Sequence, residues 1–297
     1  MQHGSRRQTR SAGPGDDPPR DSFTGREIYN RLDSPVEKAL KLSEWLYNKW
    51  APTMLTREGA AGYTARAVTG EKDRYGRKVT PNHVIASSGA KQAIMSALHA
   101  ILDPQQEVIF PAPYWVSYPE MVKLVGGVPV PVHPEDGGFI PRIQDIEQVI
   151  GSYTKAVIIN SPNNPTGAVY PESFVRDVVE LCEERGLWLI IDDIYHRLIF
   201  DGRRPVNPYA FAKDHSDNSK LICINGVSKQ YAMTGFRIGW ALGNREVVEA
   251  MTNIQGHQTS GPVTVSQWAA IGALSGVQTS IESLRLTLEN QRNVMLD

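Results

Sequence analysis

The chain has 297 residues, of which 41% are hydrophobic, 21% charged and 8% aromatic, a balance that excludes disordered and fibrous classes and provides for a large buried core. With 31 basic against 32 acidic residues the formal charge is -1, so no overall field exists to collect nucleic acid or an anionic membrane surface. No apolar run approaches the ~18 residues of a membrane span, and the two cysteines, Cys182 and Cys223, offer neither a metal-ligand spacing nor a disulfide framework, so no metal site is expected and both read as buried inert thiols.

Residues 1–33 open with MQHGSRRQTRSAGPGDDPPR, polar and rich in Arg, Pro and Gly, which reads as a flexible tail. It lacks the apolar stretch of a secretion signal, and Asp16, Asp17 and Asp21 make it a poor transit peptide, so a cytoplasmic protein is expected. Order is expected from Ser34-Pro35, a capping Ser and a Pro at the first helical position ahead of VEKALKLSEWLYNKW. Short β-rich runs (HVIAS, EVIF, VPVPV, KAVIIN, LWLIID, LICIN) then alternate with helical stretches such as KQAIMSALHAIL and ESFVRDVVELCEERG. This alternation predicts an α/β fold, a doubly wound, mostly parallel sheet between helices, with its ligand in the loops at the carboxyl ends of the strands. The last stretch, QTSIESLRLTLENQRNVMLD, reads as a long amphipathic helix.

Five of those loops carry residue types with chemistry. SSGAKQAI sets Gly89, Ala90 and Lys91 between a strand and a helix, where free backbone N–H groups can hold a phosphate. PAPYWVSYP offers Trp115 in a Pro-rich loop after EVIF, and the Asn-Pro-Thr-Gly turn aims Asn164 above the sheet. LIIDDIYHRLIF places Asp192 just after a buried strand and Tyr195 three residues on. In NGVSKQYAMTGFRIGW, Ser228 and Lys229 are followed eight residues after the lysine by Arg237. A lone lysine on a loop is ordinarily a surface charge, but Gly226, Gly235 and Gly239 suggest backbone brought close to a bulky ligand.

Taken together, S-K-x5-G-x-R-x-G, the order of the motifs, and the phrases PYWVSYPEM, NSPNNPTGAVY and AMTGFRIGW resemble the class I aminotransferases, the pyridoxal-phosphate family of fold type I, and most of all its bacterial aspartate and prephenate branch. The resemblance implies that Lys229 carries the cofactor as an imine and shuttles the substrate's Cα proton. It implies that Asp192 pairs with the pyridine nitrogen, that Asn164 and Tyr195 bond the 3′ oxygen, and that Trp115 stacks on the ring. Arg237, with the amides of Ala90 and Lys91 beside Gly89 and with help from Ser228, would clamp the phosphate; Lys91 would also read the distal carboxylate of dicarboxylic substrates. The implied activity is amino transfer from aspartate to 2-oxoglutarate, between amino-acid and 2-oxo-acid substrates, in a homodimer. Other chemistry at Cα, elimination or decarboxylation, and a non-catalytic cofactor-binding remnant stand as alternatives.

Three departures accompany the resemblance. GREIYNRLDSP has no Gly-rich run to close over substrate, and TMLTREGAAGYTARAV offers Arg57 and Tyr63 near a Tyr that reaches the neighbouring subunit's phosphate, a role carried to neither. Family members also continue past the position of Asp297 into a segment holding an Arg for the substrate α-carboxylate. The expected organisation is a tail (1–33), a cofactor-binding large domain with N-terminal small-domain elements (34–275), and the start of a long helix (276–297) leading to a small domain that is incomplete here. Residues 1–297 alone are then expected to hold cofactor weakly and transaminate little.

Overall fold

The computed structural model describes residues 64, 67–68, 80–213 and 217–296. The expected tail, the helix from Ser34-Pro35, GREIYNRLDSP, Arg57 and Tyr63 lie outside them.

All six β-rich runs form strands: β1 (Val84–Ser87), β2 (Glu107–Pro111), β3 (Val128–Val132), β4 (Thr154–Asn160), β5 (Trp188–Asp192) and β6 (Leu221–Gly226). A seventh, β7 (Gly239–Leu242), falls in the stretch read above only as a motif. Between and after them come α1 (Ala90–Ile101), α2 (Ser117–Leu124), α3 (Ile143–Glu147), α4 (Glu172–Arg185), α5 (Arg245–Gln258), α6 (Thr264–Ser275) and α7 (Thr279–Leu296). The strands pair in the order β1-β7-β6-β5-β4-β2-β3, parallel throughout except β7, which is antiparallel to both neighbours. β3 is an edge strand, which explains how VPVPV can carry two prolines: the donors they lack are not all required by a second neighbour.

Both faces of the sheet are covered, so its central strands are apolar almost without interruption. Alternate residues feed two cores. On one face Val157, Ile159, Leu189 and Ile191 pack with Phe174, Val178 and Cys182 of α4; on the other Ala156, Ile158 and Ile190 pack with Ile94 and Leu98 of α1 and Met251 of α5. Cys182 and Cys223 are both buried and unbridged, and burial pushes the Cys182 thiol up to about 12, which keeps it protonated and inert. At α7 the Arg292 guanidinium grips Asp201 with two hydrogen bonds of 2.8 and 2.6 Å, fastening the helix to the loop after Tyr195. Among the described residues no helix is long and apolar enough to cross a membrane, and no group of acidic, His and Cys side chains could hold a metal ion.

Candidate active site

The carboxyl ends of β1, β4, β5 and β6 lie along one edge of the sheet, and register fixes what meets there. Asn160 stands beside Asp192, Asp192 beside Ile224, and Gly239 between Gly226 and Ser87. Above them opens a cleft of about 270 Å³ whose lining includes Ala90, Lys91, Trp115, Asn164, Asp192, Tyr195, Ser228, Lys229 and Arg237. These nine residues, named from the sequence as cofactor or substrate contacts, therefore share one cleft, with Gly89 immediately behind Arg237.

Asp192 ends β5 at 4% exposure, with its carboxylate turned into the cleft. Burial raises its carboxyl from the ordinary 3.8 to about 6, opposed by hydrogen bonds from the Tyr118 hydroxyl (2.8 Å) and the Ile194 amide (3.3 Å) and reinforced by the charge of Asp193. A buried carboxylate so placed favours a cationic partner. Asp193 points elsewhere, its Oδ2 lying 3.8 Å from His196 and 4.0 Å from the Cys223 sulfur. The alternation of side chains along an extended strand end separates the two acids: one faces the cleft, the other the packed interior.

At the opposite end of the cleft is an anion cradle. Gly89 precedes α1 with φ +90°, a conformation that disfavours a side chain, and a Cβ there would come within 2.5 Å of the Arg237 guanidinium. The arginine thus lies across the start of a twelve-residue helix, beside the amides of Ala90 and Lys91, which have no backbone acceptor among the described residues. Arg237 itself has φ +52° and donates to the Thr234 carbonyl at 2.9 Å. Among the described residues no carboxylate pairs with it. Guanidinium and helix N-terminus together suit a phosphate.

The glycines need a correction. A Cβ at Gly239 would come within 2.4 Å of the Ala90 nitrogen, and one at Gly226 within 2.8 Å of the Ile238 carbonyl oxygen. Both are small because the protein's own backbone crosses there, not because a ligand approaches. A Cβ at Gly235 would have none of the described residues within 4 Å, so crowding by the protein's own atoms does not explain that glycine.

Between the two poles, the Lys229 Nζ lies 5.7 Å from the centre of the Tyr195 ring, and Asn164 hydrogen-bonds the Tyr195 hydroxyl. Burial, and after it the charge of Asp192, raises the Tyr195 hydroxyl above its ordinary value, while the Asn164 bond acts against both. Trp115 forms a side wall, with the Lys91 ammonium 4.8 Å from its ring centre and Tyr118 packed edge-on at 5.5 Å.

Two contributors were not singled out from the sequence. Tyr118 belongs to the apolar face of α2 and reads as core, which at 2% exposure it also is, yet its hydroxyl holds Asp192. Asn160 reads as the end of a strand, but its side chain donates to the Asp192 carbonyl and accepts from the Asn164 amide, both at 2.8 Å, bracing two cleft residues at once. A polar residue closing a buried strand was the available clue to Asn160.

A cleft at the strand ends of a doubly wound sheet, with a lysine, a buried carboxylate and a phosphate cradle, has counterparts among known proteins. The sequence profile of class I and II aminotransferases matches residues 60–297, and the chain belongs to that family. It is 41% identical over 227 residues to the aspartate/prephenate aminotransferase of Thermus thermophilus, covering 75% of this chain and 57% of that protein. It is 42% identical over 218 residues to the aspartate aminotransferase of Geobacillus stearothermophilus, covering 73% and 55%. Among solved structures, an aspartate aminotransferase from Rhizobium meliloti superposes with a TM-score of 0.75 at 32% identity over 89% of this chain and 66% of that one. The chain spans a little over half the length of the curated relatives it matches.

The family's aspartate aminotransferases depend on pyridoxal phosphate, and the residues present fit that group. The cradle supplies donors for a phosphate, the buried Asp192 suits a protonated ring nitrogen, and the primary amine of Lys229 faces the same cleft.

Proposed function

We propose that this chain provides the cofactor site of a pyridoxal-phosphate-dependent aminotransferase that moves the amino group of aspartate to 2-oxoglutarate. The observation that carries the reading is the single cleft in which Lys229, the buried Asp192 and the Gly89–Arg237 cradle face one another. The relatives named for aspartate supply the substrate. In this reading residues 34–275 hold the cofactor domain and 276–297 begin a helix leading out of it, and the protein works as a homodimer in the cytoplasm.

Bound pyridoxal phosphate supplies an aldehyde that condenses with amines and a ring that delocalises the electron pair left when a bond at Cα breaks. The protein does the rest. Arg237 and the amides of Ala90 and Lys91 bind the phosphate, with the Ser228 hydroxyl within the same cleft. Asp192 holds a proton at the ring nitrogen, and Tyr118 holds Asp192. Tyr195 and Asn164 would bond the ring oxygen, and Trp115 would stack on the ring. Lys229 would be the base that takes the proton from Cα and delivers it to the cofactor's C4′ carbon, a role that needs a flexible amine within reach of both atoms. Lys91, exposed at the start of α1, meets the distal carboxylate of the substrate.

Borohydride reduction of the loaded protein followed by peptide mapping tests this reading. The label is expected on Lys229; a label on any other lysine overturns it.

A further inference from the structure

Two turns of the cleft meet on one side chain at the start of α7. The Oε1 of Gln278 accepts a hydrogen bond from Arg197 Nη1 and another from the Tyr231 hydroxyl, both at 2.8 Å. Its Nε2 donates to the carbonyls of Ala273 (3.0 Å) and Gly276 (2.7 Å), at the end of α6. One half-buried amide therefore joins three pieces of chain, and one of its donors is charged, which strengthens the bond.

The spacing of the two partners gives the junction its meaning. Arg197 stands two residues beyond Tyr195, and Tyr231 two residues beyond Lys229. Each turn is closed by its own backbone bonds, Leu198 N–H to Tyr195 C=O at 2.8 Å in one and Ala232 N–H to Lys229 C=O at 3.2 Å in the other. A shift at Arg197 or Tyr231 is therefore passed to a cleft residue through a short, closed stretch of backbone. On the inner side of the same turns, Lys229 Nζ and the Tyr195 ring stand 5.7 Å apart.

We propose that Gln278 is a positioning residue: by holding Arg197 and Tyr231 on one oxygen it fixes the separation of Tyr195 and Lys229 and ties both to the junction of α6 and α7. The inference rests on reading Lys229 as the cofactor-bearing lysine.

The test uses the full chain loaded with pyridoxal phosphate and four proteins, Gln278→Leu, Gln278→Glu, Arg197→Met with Tyr231→Phe, and wild type. Gln278→Glu keeps an oxygen for Arg197 and Tyr231 but loses the donors to α6, so it separates positioning from capping. Three quantities are read: the dissociation constant of pyridoxal phosphate, the pH midpoint at which the Lys229-bound cofactor changes colour, and the melting temperature without cofactor. Gln278→Leu, which removes the bonds from both Arg197 and Tyr231, is expected to weaken cofactor binding about three- to tenfold, since only part of that loss is passed on to the cleft through the two turns, and to move the colour midpoint. The Arg197/Tyr231 double variant, whose α6 cap is intact, should do the same, and Gln278→Glu should stay near wild type in both. If Gln278→Leu and Gln278→Glu change alike, or only melting changes, Gln278 is merely a cap and the proposal is overturned. If Gln278→Leu does not fold, the double variant decides: an unmoved midpoint overturns the proposal. Borohydride labelling of wild type separates the failures, since a label away from Lys229 overturns the site reading and the proposal with it, whereas a Lys229 label with unmoved variants overturns the proposal alone.

Discussion

The Tyr118 hydroxyl on α2 donates a 2.8 Å hydrogen bond to Oδ2 of Asp192 at the end of β5. Burial first, and then the charge of Asp192, pushes the Tyr118 hydroxyl well above its ordinary range, so it stays a neutral donor at any working pH. In turn, the bond pulls the Asp192 carboxyl down against the larger effect of burial.

Tyr118→Phe should therefore raise Asp192 further, leaving more of it protonated at neutral pH and unable to meet a cationic ring nitrogen. Pyridoxal phosphate binding at pH 7 is expected to weaken about three- to tenfold, the effect of one lost hydrogen bond. Part of the loss should return as pH rises. A titration of cofactor affinity against pH checks both points, and a deficit that does not change with pH would show that Tyr118 acts only through packing.

Asp192 also has a consequence for stability. Its carboxyl stands at about 6 in the folded chain against an ordinary 3.8, so between those values the folded state binds more protons than the unfolded one. Stability of the cofactor-free protein must then fall as pH rises from about 4 to about 6 and remain lower above, by at most about 3 kcal/mol from this group. Cofactor-free Asp192→Asn should melt above wild type at neutral pH and lose that advantage near pH 4. Melting curves at the two pH values decide it; a variant less stable than wild type at neutral pH would show that the carboxylate is well compensated.

Gly89→Ala tests the cradle. The new Cβ would sit 2.5 Å from Arg237 Nη2 at φ +90°, so the guanidinium must move and the backbone is strained by about 1–3 kcal/mol. The variant should melt lower and lose affinity for pyridoxal phosphate far more than for pyridoxal, which has no phosphate to clamp. Adding Arg237→Ala should worsen phosphate binding little beyond Arg237→Ala alone. Equal losses for the two ligands would place the defect outside the cradle.

How legible these features were in the sequence depended on whether a residue's role is local. The central strands show as β-rich runs because burial on both faces leaves no polar alternation, the edge strand β3 shows by its three valines, and α1 and α4 show by their apolar period. β7 did not: four residues, Gly-Trp-Ala-Leu, carry no period long enough to read, and strand direction is not written in a strand's own residues. The cleft residues were legible through their loops and their resemblance, whereas Tyr118 acts across 74 positions of sequence and looks like any buried aromatic. Gly226 and Gly239 announced that something comes close, but only the fold could say that it was the backbone of Ile238 and Gly239 for the first and that of Gly89 and Ala90 for the second.

Lys91 carries a specificity prediction. Its ammonium lies 4.8 Å from the Trp115 ring centre in the lining of the cleft, and the proposed function gives it the far carboxylate of a dicarboxylic substrate. A charge-assisted hydrogen bond contributes roughly 1.5–3 kcal/mol, so Lys91→Ala should reduce the preference for aspartate over alanine about ten- to a hundredfold. The ratio of kcat/KM for the two amino acids measures it; an unchanged ratio would leave Lys91 only its backbone amide.

The reversed direction of β7 explains the eight-residue interval between Lys229 and Arg237. β6 and β7 are neighbours with Gly226 opposite Gly239, so the chain leaves the sheet at one and re-enters beside it at the other, a long hairpin loop carrying the lysine on its outgoing limb and the arginine on its return. Were β7 parallel, its start would lie at the far edge, and the chain would need a crossover of about a dozen residues or more to reach it. The span from amine to guanidinium is thus set by the length of one loop. An insertion or deletion there would change the distance between that amine and that guanidinium, and for that reason this interval should tolerate substitution far better than any change in length.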